Sequence, residues 1–153
     1  MKDQEILNLF DNACELLLKN KRVEEARKVI QEIDRVWAER SALSREGQYK
    51  GDSPKKGLLS TMHYHVGMEA TPEPKRRLIL DQILTKNVPF VPPPSYMDEW
   101  GEPRTQERMR KLEKVIKELV NDAQHRRGKG KDFEKAISEW QSDLDYIRKN
   151  YNF

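Results

Sequence analysis

The sequence predicts an all-α fold of about six helices, with N-terminal and C-terminal antiparallel helical hairpins joined by a proline-rich irregular strap. Apolar residues recur at three- and four-residue steps along most of the 153-residue chain. The charged and the hydrophobic shares are both 36%, a balance suited to helices with wide solvated faces rather than to a sheet. Four prolines, Pro89, Pro92, Pro93 and Pro94, crowd one interruption, where they remove backbone donors and hold the chain extended. The length fits a single helical domain over residues 1–153.

The first helix is predicted from about Gln4 to Lys19. Ile6, Phe10, Ala13, Cys14 and Leu17 share one stripe, widened by Leu7, Leu9 and Leu16, which suggests contacts on two sides. After a short reversal at Asn20, a second helix from about Val23 to Ser41 places Val23, Ala26, Ile30, Ile33 and Trp37 on one face. So short a link makes the two an antiparallel hairpin. Residues 41–53 are polar and contain two glycines, so they read as a linker that lets residues 1–41 dock as a semi-independent hairpin.

Ser53-Pro54 reads as a cap followed by proline at the first helical position, opening a short helix to about His65 that stops near Gly67. Thr71-Pro72 repeats the signal before a helix that buries Leu78, Ile79 and Ile83. The strap, residues 87–103, is expected to lie across the helices because Phe90, Val91, Tyr96, Met97 and Trp100 require burial. Ser95 with Asp98 resembles a capping box for one short turn, stopped by Gly101 and Pro103. Met109, Leu112, Ile116, Leu119 and Ala123 then form one seam. Phe133, Ile137, Trp140, Leu144, Ile147 and Tyr151 form a second, with Asp132 as its cap, and together the seams make the second hairpin.

Over residues 64–151 the strings Tyr64-His65-Val66-Gly67, Arg76-Arg77-Leu78-Ile79-Leu80, Tyr96-Met97-Asp98-Glu99-Trp100-Gly101-Glu102-Pro103, Ala123-Gln124-His125-Arg126-Arg127 and Ala136-Ile137-Ser138-Glu139-Trp140-Gln141-Ser142-Asp143-Leu144 occur in order. This pattern resembles an uncharacterised helical domain found in many bacterial proteins, most specifically in its Tyr-Met-x-Glu-Trp-Gly-x-Pro string. The resemblance implies a bacterial origin and transfers no activity and no site residue.

Net charge is +3, from 29 basic and 26 acidic side chains, too balanced for a general polyanion binder. Residues 101–153 hold thirteen basic against ten acidic side chains, which accounts for the whole excess. The segment HRRGKGK, residues 125–131, puts Arg126, Arg127, Lys129 and Lys131 around two glycines beside a helix N-terminus, a setting that favours anions. Arg104, Arg108 and Lys111 recur at helical spacing on the way into it, as do Arg110, Lys114 and Lys117, and both rows could track phosphates. Against that stand ordinary helical ion pairs such as Glu107 with Lys111, which confer solubility rather than recognition. Lys75-Arg76-Arg77 opens its helix against the macrodipole, the mark of a contact site or of simple pairing with Glu73 and Asp81.

His63 and His65 stand about 200° apart on a helix and lack two further ligands, so no metal and no cofactor is expected. Cys14 sits in an apolar stripe and behaves as a small buried side chain without an internal disulfide partner. Trp100 and Trp140 are expected as core anchors. Asp3, Glu5, Asp11 and Glu15 interrupt the first apolar stretch, which argues against a signal peptide. No window suits a membrane span, so the expected location is cytoplasmic.

Three functions stand at this point. The leading one is a non-catalytic helical binding or adaptor module acting through a protein partner. The second is a nucleic-acid-associated protein using the basic surface of residues 104–131, which requires those side chains to cluster rather than pair off. An enzyme is the third; its best site would bring His63 and His65 to Asp98 and Glu99, within hydrogen-bond reach or one water.

Overall fold

The computed structural model describes residues 1–51, 57–126 and 133–153. The described residues form seven helices and no strand: α1 Asp3–Leu18, α2 Val23–Arg45, α3 Leu58–Thr61, α4 Glu73–Thr85, α5 Pro94–Asp98, α6 Gln106–His125 and α7 Glu134–Asn150. α1 packs on α2 and α6 on α7, giving the two expected hairpins, and α4 touches α1, α6 and α7.

The ends of α1, α2 and α3 are set by one recurring device. After α1, Asn20 adopts a left-handed φ of 53° and donates to the Leu17 carbonyl, while Lys21 donates to that of Leu16. This is a Schellman stop at asparagine, a residue that tolerates the left-handed region. Gly47 (φ 75°) closes α2 in the same way, so the helix runs to Arg45 and the linker expected from Ser41 begins later. The four extra residues stay helical because the chain offers no stop before that glycine. His63 (φ 65°) closes α3, which therefore ends at Thr61 rather than near Gly67. The Ser53-Pro54 start and the Asp132 cap lie outside the described residues.

Two further caps differ from expectation. Thr71 does not cap α4; its hydroxyl donates to the His63 carbonyl at 2.6 Å and accepts from the His65 N–H, tying down the loop before the helix. Ser95 lies inside α5, whose preceding residue is Pro93 and makes no side-chain cap. α6 does have a side-chain cap, Thr105 Oγ1 accepting from the Arg108 N–H at 3.2 Å.

Ile6, Phe10, Ala13 and Cys14 of α1 meet Ala26, Ile30, Ile33 and Trp37 of α2, with the Phe10 and Trp37 rings 5.8 Å apart. The apolar residues of α4 are spread around the helix, and Ile79, Leu80, Ile83 and Leu84 are all fully buried between the two hairpins. The strap lies across the helices: Val88, Phe90, Val91 and Trp100 are buried, while Tyr96 and Met97 are only half-buried against the core. Asn87 holds its start by donating backbone and side-chain N–H groups to Asp34.

Arg108 locks the strap's far end. It is buried, and its guanidinium donates to four carbonyl oxygens, those of Ile83, Lys86, Trp100 and Gly101. Burial pulls its pKa down to about 10, still far above neutrality, so the group stays charged among backbone dipoles.

Cys14 has no functional setting. Burial, and then the nearby Asp11 carboxylate, push its thiol up to about 12. A disulfide-exchange reagent applied near neutral pH is expected to leave the native protein unmodified and to label one thiol after denaturation. Rapid labelling of the folded chain would contradict this packing.

Candidate functional site

Among the described residues, Arg104, Arg108 and Lys111 do not form the phosphate-tracking row that their spacing predicts. Arg108 leaves the surface altogether, as described, because the strap carbonyls need its donors. Arg104 precedes the helix with a left-handed φ of 60°, so the spacing that aligned it with Arg108 and Lys111 does not apply. Lys111 is held by Glu99 at 3.0 Å, with its ammonium 5.9 Å from the ring centroids of both Tyr96 and Trp100. Lys117 pairs with Glu113 and Arg126 with Asp122. Arg110 and Lys114 are exposed. Arg127, Lys129 and Lys131 lie outside the described residues.

The Lys75-Arg76-Arg77 cluster resolves into pairing, mostly with partners other than those expected. Lys75 reaches Asp11 at 3.3 Å, Arg77 reaches Glu73 at 3.2 Å, and the Arg77 guanidinium sits 4.4 Å over the Tyr146 ring. Asp143, fully buried on α7, is the centre. Its carboxylate accepts from Tyr64 Oη at 2.5 Å, from Arg76 Nε at 2.8 Å and from Arg77 Nε at 3.0 Å. Arg76 also donates to Glu139 at 2.9 Å and to the Thr71 carbonyl at 3.0 Å. Taking these charges from water is costly, and the network offsets that cost only by matching donors to acceptors.

The network fixes the loop between α3 and α4 against α7. Glu139 accepts the Gly67 N–H at 2.9 Å, and Lys135 Nζ donates to the Gly67 carbonyl at 3.0 Å. Gly67 has a φ of 86°, and a Cβ there would sit 3.5 Å from that of Ala136. The left-handed backbone, more than the space, is what asks for glycine.

Between this loop and the second hairpin runs a groove of about 1020 Å³. Leu58 and Leu59 of α3 and Tyr64, Val66 and Met68 of the loop form one side. Val115 and Leu119 of α6, Phe133, and Ala136 and Trp140 of α7 form the other. The cleft beside Lys117 and Gln141 holds about 290 Å³ by comparison. Trp140 is therefore a half-buried wall of the groove rather than the core anchor expected of it, whereas Trp100 is fully buried. Among the described lining residues the only ionisable groups besides tyrosines are His65 and Lys135, and none is a carboxylate.

Three residues of the enzyme reading have different settings. His63 Nδ1 lies 2.6 Å from Asp11, Glu99 is bound to Lys111, and His65 lines the groove. Among the described residues no three His, Cys, Asp or Glu side chains converge as a metal set.

One buried phenol, Tyr64, and two half-buried ones, Tyr146 and Tyr151, set an alkaline limit on stability. Burial first, and then Asp81, raise Tyr151 and push Tyr146 up to about 12, while burial and Asp143 raise Tyr64. An acid whose folded pKa lies above its unfolded value, here an ordinary 10.0, gives stability that is complete below that pH and is lost as pH climbs toward the folded value. Arg108 acts in the opposite sense, one group against three. Unfolding free energy is expected to be flat up to about pH 9 and to fall through about pH 12, with Tyr146→Phe making the fall shallower; a rise above pH 10 would contradict the assignment.

No family model matches the chain, and no match is found among curated proteins or solved structures.

Proposed function

We propose that this chain is a non-catalytic helical binding module that acts through a protein partner, and that the partner seats in the groove between the α3–α4 loop and the α6–α7 hairpin. The observation that carries this reading is a large apolar groove held open by a buried, mutually satisfied charge network. Contiguous apolar surface that a fold maintains in water is a mark of an interaction site. Pinning the loop through Gly67 also means that little ordering remains to oppose binding. No helix among the described residues is long and apolar enough to cross a membrane.

A nucleic-acid-associated protein is the second reading: Arg108 and Lys111 are engaged inside the chain, while Arg110 and Lys114 stay exposed on α6. Residues 127–132 keep it as the contrasting outcome of the test. Affinity capture from the native host would use the wild-type chain, Leu119→Glu in the groove and Arg126→Glu outside it. The expected result is a protein retained by the wild type and by Arg126→Glu but lost with Leu119→Glu. Retention by all three variants, or recovery of nucleic acid that only Arg126→Glu loses, would overturn the proposal.

A further inference from the structure

We draw no further inference here: the strongest candidate, the apolar groove between the α3–α4 loop and the α6–α7 hairpin, carries nothing beyond the reading above, because nothing in the structure shows what covers it.

Discussion

Replacing Asp143 with alanine is expected to lower the unfolding free energy by about 3–5 kcal/mol, the cost of removing one partner from a buried ion pair. The carboxylate is fully buried and receives Tyr64, Arg76 and Arg77. Its loss leaves the Arg76 guanidinium, itself 3% exposed in its side chain, with only Glu139 to neutralise it. Arg77 keeps Glu73 and Ser142 near the surface and is affected less. Asp143→Asn should fall between alanine and wild type, because an amide still offers one acceptor oxygen. Urea denaturation measures the effect as a lower midpoint at unchanged slope. A change below about 1 kcal/mol would mean that the network relaxes into solvent rather than organising α4, α7 and the loop between α3 and α4.

Arg108→Met is expected to cost about 3 kcal/mol, although methionine fills much of the same volume. Four carbonyl oxygens lose their donor, and buried acceptors left unmade each cost about 1–3 kcal/mol, partly recovered where water enters. Arg108→Lys should restore less than half of the loss. A single ammonium cannot meet all the acceptors that the planar fork reaches separately from Nε, Nη1 and Nη2. The damage should be local first. Hydrogen exchange in the strap, from Val88 to Trp100, should accelerate before that of α1 and α2. Uniform acceleration across the chain would contradict the role given to this residue.

Both hairpins were legible because apolar periodicity reports which helix face avoids water. The same periodicity does not say what covers that face. Leu119 belongs to the seam of Leu112 and Ile116, and Trp140 to that of Ile137 and Leu144. Yet Leu112 and Ile116 are fully buried while Leu119 and Trp140 are half-exposed walls of the groove. In one dimension, a stripe facing its own core and a stripe lining an open groove look alike.

The buried charges were missed for a related reason, although their signal was present. Arg76 stands at stripe spacing from Ile79, Leu80 and Ile83, Arg108 from Leu112 and Ile116, and Asp143 from Trp140 and Ile147. A charge that interrupts an apolar stripe in register is a candidate for burial with a partner. Reading Arg104, Arg108 and Lys111 as one row ignored that Arg108 also belongs to the apolar face. The partners of Lys75, Arg76 and Arg77 could not be read locally, since Asp11, Asp143 and Glu139 lie far away in the chain and only tertiary packing brings them near. The groove needed three dimensions altogether, because its walls come from the α3–α4 loop and from helices at the opposite end of the sequence.

A partner protein seated in the groove should be caught there in place. A photo-crosslinking amino acid placed at Met68, on the exposed lip of the groove, tests it directly in the living host, with the same residue at Arg35 on the outer face of α2 as reference. One discrete protein adduct is expected from Met68, removed by Leu119→Glu, and none from Arg35. An adduct from Arg35 alone, or a Met68 adduct indifferent to Leu119→Glu, would contradict it.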